Sequence, residues 1–505
     1  MYKIFLLLLV GLSACTLSTE STPTATPKLA RVEAVTIAPT NSSTPTATAT
    51  STRTITPTAT RTASPTFTAT PTETPTATFT PNPYAASSIV GGARQLARRS
   101  VLNLRTPAEF QVSPALFGLN YWVPPFNNKV FAELAPLNVV TLRYGGETIE
   151  EDPVNFEAID RFILAARALN AEPLIQVPFY HGDPKLAAKI VRYVNVQKKY
   201  DVRFWSIGNE EDTNVRSGAQ EKWINAWRSF RAAMKAVDSR ILIFGPEYAQ
   251  AYDLDDPTND WLTPWLRVNG DAVDVISLHR YPFSGTQSNP TVLIGDSLGT
   301  ARRVRALRQH IQQITGRDIP LAFTEMNLSW EWRKGGEGSS ASMSAGLWMA
   351  ETLGQMAEAG VVMVNIWSAR GDDSLGLIVR PAEKKRPTYY ALQLYANYGD
   401  RIIPLASHVP GVTAHAARDS RTGVTTIVLV NRVRDDLQFK LDLNSNQEPE
   451  RGSIYLDLSS RKKIPFEMPG HSMASITLDA NLNPTRTILY SRAMFDNGQL
   501  PQVLQ

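Results

Sequence analysis

Glu210 follows the apolar run Phe204-Trp205-Ser206-Ile207-Gly208-Asn209, and Glu325 follows Leu321-Ala322-Phe323-Thr324. A carboxylate directly behind a core strand is unfavourable unless it is paired or used. Two of them, on separate strands, match the needs of glycosidic-bond cleavage, in which one carboxyl group protonates the leaving oxygen and the other works on the opposite face of the sugar ring. Four further apolar runs end on groups that suit the same chemistry. They close on Arg143, near Glu247, on His279 with Tyr281, and on Trp367. A nearby arginine holds a carboxylate ionised, and an indole offers a flat apolar face to a sugar.

These residues need a scaffold that brings strand ends together. The apolar runs are Leu116 to Val123, Val139 to Tyr144, Pro173 to Phe179, Phe204 to Gly208, Ile241 to Gly245, Val273 to Leu278, Leu321 to Thr324 and Val361 to Trp367. Helical periodicity fills most gaps between them, over Val154 to Leu169, Lys185 to Val196, Gln220 to Val237, Ala301 to Ile314 and Ser342 to Ala359. In the first helix Phe156, Ile159, Ile163 and Ala166 share one face. Continuous apolar strands alternating with helices predict a parallel sheet covered on both sides. Eight units predict one (β/α)8 barrel over residues 85–400, with function at the C-terminal strand ends. That rule selects Arg143, Asn209, Glu210, Glu247, His279, Tyr281, Glu325 and Trp367.

Beyond the barrel, residues 401–480 read as a small antiparallel β domain of sandwich type, with Leu437, Phe439, Leu441 and Leu443 alternating against polar neighbours. Arg99 to Val112 is a candidate additional strand for it, and the tail 481–505 carries no clear pattern.

At the other end, residues 1–15 have a charged start and an apolar run too short to span a membrane, the signature of an export signal. Leu12-Ser13-Ala14-Cys15 resembles the lipobox of bacterial lipoproteins, which makes Cys15, the single cysteine, the lipidation site and places the protein outside the cytoplasm, held at a cell surface by a lipid anchor. Residues 16–84 repeat Thr-Pro-Thr-Ala-Thr and cannot bury a core, so they read as a disordered, semi-rigid spacer. A net charge of +4 with no dense Lys/Arg block argues against nucleic acid as a partner. With one cysteine, six scattered histidines and no His-Glu-x-x-His spacing, no metal site and no cofactor are expected.

The Asn209-Glu210 pair closing the fourth strand and Phe323-Thr324-Glu325 closing the seventh resemble the retaining glycoside hydrolases of clan A, over about Leu116 to Tyr398. The resemblance implies Glu210 as acid/base and Glu325 as nucleophile. It implies Asn209 on the sugar 2-hydroxyl, Arg143 beside Glu325, Tyr281 of His279-Arg280-Tyr281 touching the nucleophile, and Trp367 as the floor of the sugar subsite. A retaining mechanism sets the two carboxyl groups about 5 to 5.5 Å apart.

Trp122, Trp205, Trp330 and Trp332 are further aromatic candidates, with Trp330 and Trp332 in a glycine-rich loop from Leu328 to Ser340 that also carries Arg333, Lys334 and Glu337. Together they favour an endo-acting β-glycanase on a polysaccharide or oligosaccharide. An exo-acting arabinofuranosidase or xylosidase is the alternative within the same chemistry. Outside it stand a catalytically silent glycan-binding lipoprotein and a structural lipoprotein with a docking β domain.

Overall fold

The computed structural model describes residues 101–504 except 123, 125, 214–218, 250–259, 334 and 445–449. The export signal, Cys15, the spacer and Lys334 lie outside the described residues.

Eight strands close a parallel barrel in sequence order: β1 (Phe117–Asn120), β2 (Thr141–Tyr144), β3 (Glu172–Val177), β4 (Phe204–Ile207), β5 (Leu242–Tyr248), β6 (Val275–Arg280), β7 (Leu321–Met326) and β8 (Met363–Ile366). Closure comes from β1 lying parallel to β8, with Gly118 opposite Asn365. The helices between are α1 (Asn128–Leu134), α2 (Glu147–Glu151), α3 (Phe156–Ala168), α4 (Pro184–Val191), α5 (Ala219–Val237), α6 (Leu262–Asn269), α7 (Pro290–Ser297), α8 (Thr300–Thr315) and α9 (Met343–Glu358). The α3 helix starts where Asn155 accepts the Ala158 N–H and buries Ile159, Phe162, Ile163, Ala165 and Ala166. The pattern from Lys185 to Val196 resolves into α4 followed by a π-helical stretch, Arg192–Gln197. Its Asn195 exchanges side-chain hydrogen bonds with the backbone of Val202 just before β4.

The barrel interior is layered. At the strand starts Leu174, Phe204, Phe244, Val275, Ala322 and Met363 pack with Val101 and Ala115 as an apolar floor. Toward the strand ends the interior turns polar, with Asn120, Arg143, Gln176, Ser206, Glu247, Ser277, Thr324 and Asn365 all buried. A buried polar layer persists only if its members satisfy one another.

After the barrel come short strands β9 (Arg370–Gly371), β10 (Ile378–Val379) and β11 (Lys384–Lys385), then α10 (Pro387–Gln393). The C-terminal part pairs two sheets. One runs β12 (Arg401–Ile402), β14 (Val412–Arg418), β15 (Thr425–Asn431), β19 (Ser472–Leu478), β20 (Pro484–Ser491) and β21 (Gln502–Leu504). The other runs β13 (Leu405–Ser407), β17 (Ser453–Leu456), β16 (Leu437–Asp442) and β18 (Lys463–Met468), with β16 and β17 parallel. Leu429 and Ile476 of the first sheet and Phe439, Leu441 and Ile454 of the second share one core, the mark of a sandwich.

Two expectations need correction here. The tail after residue 480 is part of the larger sheet, supplying β20, a short helix α11 (Arg492–Asp496) and β21. Its exposed Pro484-Thr485-Arg486 start hides the pattern in sequence. Among the described residues the stretch ahead of β1 adds no strand; Gln111 makes a single bridge to Arg401. The sandwich packs on α9, which is buried on every side from Met343 to Ala357 because the barrel covers one face and the β14, β15 and β19 sheet the other.

Candidate active site

The site starts from how β4 ends. Gly208 takes φ 76°, and a Cβ there would stand 2.8 Å from the Trp223 ring. Glu210 follows at φ 55°, and Glu247 at the end of β5 takes φ 61°. Left-handed backbone at a non-glycine residue costs on the order of 1–3 kcal/mol and persists where the surroundings over-determine it. Here the two strand ends hold each other, since the Glu210 N–H donates to the Glu247 carbonyl at 2.9 Å.

Arg143, wholly buried at the end of β2, is the hub. One guanidinium nitrogen donates to Glu325 at 2.7 Å and to Asn120 at 3.0 Å. The other donates to Glu247 at 2.8 Å, Asn209 at 3.0 Å and Gln176 at 3.2 Å. Burial alone would lower its pKa, but Glu247 and Glu325 outweigh that and raise it, so the charge is fixed. Glu247 in turn is held at about 2 against the penalty of burial, first by Arg143 and then by His279. Its other oxygen accepts from the Thr324 hydroxyl at 3.0 Å.

His279 Nδ1 lies 2.7 Å from Glu210 and 3.8 Å from Glu325, with Nε2 3.5 Å from Glu247. Burial pulls its pKa down, yet the three carboxylates, led by Glu325, raise it to about 10. It is therefore an imidazolium at neutral pH. Tyr281 donates its hydroxyl to Glu325 at 2.8 Å, and burial keeps that phenol well above its usual range. Glu325 is thus held on both oxygens, by Arg143 and by Tyr281. Among the described residues Glu210 has one bonded oxygen, and its side chain is 25% exposed against 7% for Glu325. One oxygen of each carboxylate and Nδ1 of His279 lie within 4.8 Å of one another. The same three atoms are the donor set a metal ion would use, but a metal would have to displace the His279 proton.

The sequence-selected residues therefore divide. Arg143, Asn209, Glu210, His279, Tyr281 and Glu325 converge, and Glu247 belongs with them as a buried clamp on Arg143 and His279. Trp367 stands at the rim, its ring 5.0 Å from that of Trp122 and over Gly146, where a Cβ would meet the indole at 2.6 Å. Trp205 is core, its indole N–H donating to the Val202 carbonyl. Among the described residues, no hydrogen bond or ring contact joins Trp330 or Trp332 to the ionic network. They stand 46% and 43% exposed on a loop pinned by the Phe283–Ser329 bridge and by Ser374 against the Glu331 and Trp332 carbonyls.

Sequence reasoning missed Asn120, Gln176, Glu150 and Thr324. Gln176 Oε1 accepts from Gly146 N–H and Arg143, while its Nε2 donates to Glu150 at 2.8 Å. Glu150, buried in α2, also accepts the N–H groups of Phe179 and Tyr180 and so pins the loop after β3. The available signal was a polar residue interrupting an apolar run, as Asn120 and Gln176 do. Beside the site, Glu211 is pushed up to about 8, by burial first and then by Glu150 and Glu147.

No protein-family model and no curated protein matches the chain. Solved structures do match its fold. CelM2, a bifunctional glucanase-xylanase from a metagenome library, aligns at 17% identity and TM-score 0.55, over 73% of this chain and 97% of its own. The family 51 arabinofuranosidase of Xanthomonas axonopodis pv. citri gives 17% and 0.55, over 75% and 96%. A monomeric beta-xylosidase from Caulobacter crescentus gives 16% and 0.52, over 76% and 97%.

Proposed function

We propose that this chain is a retaining glycoside hydrolase in which Glu325 is the nucleophile and Glu210 the acid/base. The observation that carries the reading is the pair itself: two carboxylates from β4 and β7 with oxygens within 4.8 Å, one locked by Arg143 and Tyr281 and the other more open to solvent. An oxygen of each within 4.8 Å of the other supports the retaining arrangement, whose carboxyl groups stand about 5 to 5.5 Å apart.

In the first step a Glu325 oxygen attacks the anomeric carbon while Glu210 gives its proton to the glycosidic oxygen, which departs as an alcohol. A glycosyl ester on Glu325 results. In the second step Glu210 takes a proton from water, the hydroxyl adds to the anomeric carbon, and Glu325 leaves as a carboxylate. The His279 bond to one oxygen of Glu210 orients the other toward the incoming glycoside. Arg143 and Tyr281 keep Glu325 anionic and aimed, and Asn209, itself fixed by Arg143, faces the reacting sugar. The similar folds of a glucanase-xylanase, an arabinofuranosidase and a xylosidase support this chemistry as a class.

For substrate, the reading is an endo-acting β-glycanase, supported by Trp330 and Trp332, whose exposed rings on a pinned loop suit stacking on successive sugars. The exo reading draws support from the Trp122–Trp367 contact, which adds aromatic bulk beside Gly146. A panel of aryl glycosides and soluble β-glycans separates them. Endo action lowers glycan viscosity before monosaccharide accumulates, whereas exo action releases monosaccharide from the start. No hydrolysis of any panel member, or full activity in Glu325→Ala, overturns the enzyme reading. The first fifteen residues support export and lipid attachment at Cys15; loss of fatty-acid labelling in Cys15→Ala is the expected result, and persistent labelling refutes it.

A further inference from the structure

Beside the ionic network, between the ends of β1 to β3 and the helices α2 and α3, lies a cavity of about 460 Å³. Gly145 and Gln176 form its inner wall, Trp122 its near rim, and Tyr144, Ile149 and Val154 much of the rest. Gly145 decides how far inward it reaches. A Cβ there would stand 2.6 Å from the Arg143 guanidinium carbon and 2.7 Å from Gln176 Oε1, so this position has no room for a side chain and the cavity ends against the residues that hold the site. Trp122 is shared: it lines the cavity and also packs on Trp367 at the site's rim.

The volume falls within the usual range for small-molecule sites, roughly 300–1,000 Å³. The lining says what kind of molecule fits. Its walls are mostly aromatic, proline and aliphatic carbon, with Thr148, Asp152, Asn155 and Gln176 among them. Gln176 serves Gly146, Arg143 and Glu150, and Asn155 caps α3. A bare sugar ring, with hydroxyls on every side, would find few polar side chains here beyond Thr148 and Asp152, which is unfavourable. An apolar ring or chain would not.

We propose that this cavity is a second binding site, taking an apolar substituent, a single aromatic ring or a short acyl chain, borne by the glycan beside the sugar that is cleaved. The connection to cleavage rests on the glycosidase reading above; the cavity's preference for an apolar guest does not. Trp122, which lines the cavity and packs on Trp367, is the link through which one substrate would occupy both places.

The test uses matched glycosides that differ only in a benzoyl ester, an acetyl ester or a free hydroxyl on the sugar next to the scissile bond. Wild type favours the benzoylated member in kcat/KM by about tenfold, the scale on which an apolar pocket discriminates; a larger preference for the acetylated member identifies the short chain as the guest. Val154→Trp and Ala158→Phe fill the cavity from α3, away from Glu210 and Glu325. Both abolish the preference and retain hydrolysis of the unsubstituted glycoside. A wild type without preference, or a preference that survives both substitutions in folded protein, overturns the proposal. Methyl benzoate titrated against the full chain, followed by tryptophan fluorescence, probes the cavity without catalysis. Saturable quenching in wild type that vanishes in Val154→Trp supports the site even if no glycoside is cleaved, in which case the glycosidase reading alone fails. No saturable quenching at millimolar ester refutes the site.

Discussion

Two histidines in this molecule sit in nearly the same surroundings and serve different ends. His279 at the barrel mouth and His415 in β14, where the sandwich meets α9, are both buried, both flanked by glutamates, and both raised to about 10. At the seam His415 lies 2.7 Å from Glu358 and 3.3 Å from Glu351, and these two carboxylates overcome the opposing effect of burial. Glu351 is further bonded by Gln355 at 2.6 Å and by the Thr413 hydroxyl, and is held at about 2 against burial, chiefly by His415. Gly354 lets the ring lie directly on α9, since a Cβ there would come within 2.1 Å of it.

The difference is in what each cluster leaves over. At the seam the buried carboxylate is fully bonded within the protein and the packing is closed. At the mouth Arg143 and His279 hold Glu247 and Glu325, while Glu210, bonded through one oxygen, keeps the other for a guest. A closed ion cluster positions two parts of a protein, whereas on the glycosidase reading the open carboxylate at the mouth serves a reaction and gives up stability for it.

The sharpest way to break this comparison is the same deletion in both places. Glu325→Ala is expected to lower kcat by about four orders of magnitude, with a smaller loss of stability than the seam variant because Arg143 and His279 each keep Glu247 as a partner. Glu351→Ala strands the buried His415 charge on one side and is expected to cost about 3 kcal/mol, with kcat per folded molecule unchanged. Denaturant melts and initial rates on both variants decide it. Equal effects on stability and rate in the two would erase the distinction.

A second test uses pH. An unfolded histidine titrates near 6.5, so the stability that His415 contributes is complete below about 6.5 and is lost as pH rises through its folded value of about 10. Glu351 has the opposite sign: its contribution is complete above about 4.3 and is lost as pH falls toward its folded value of about 2. The melting temperature should therefore decline from pH 6.5 to 10. In His415→Asn the melt should start lower and decline less over that range. His279 carries the same sign, so His279→Asn should also flatten the alkaline limb, but with a loss of rate at neutral pH that His415→Asn does not show. An alkaline limb identical in wild type and His415→Asn would remove the seam from the account.

The two clusters also differ in how far they could be read before folding. The mouth was legible because barrel topology places function at strand ends, and its charged members follow apolar runs one after another in sequence. Its supporting residues were not. Gln176 and Asn120 look like interruptions, Thr324 looks like strand, and Glu150 acts only because α2 folds back over the loop after β3. Nothing local marks the seam at all. His415 lies within a strand, and Glu351 and Glu358, seven residues apart on α9, meet it only through packing between the two parts of the chain. The short helices α1, α6, α7 and α10 and the strands β20 and β21 escaped for a related reason: each has too few turns or too exposed a start for periodicity to show.

The smallest expected effect is also the closest match between the two places. In each cluster a threonine hydroxyl donates to the buried glutamate, Thr413 to Glu351 and Thr324 to Glu247. Valine keeps the shape and removes the hydrogen bond, a loss of about 1 kcal/mol. Thr413→Val should register in the melt alone, because Glu351 still has Gln355 and His415. Thr324→Val should lower stability by a similar amount and in addition change the rate, because Glu247 then leans on Arg143, His279 and Ser277, and the first two also hold the reacting carboxylates. The expected change in kcat/KM is a few-fold, on the order of the same 1 kcal/mol expressed in the barrier. A rate change in Thr413→Val, or none in Thr324→Val at equal loss of stability, would mean that the mouth is built as a closed support like the seam, and that its open carboxylate is not what sets it apart.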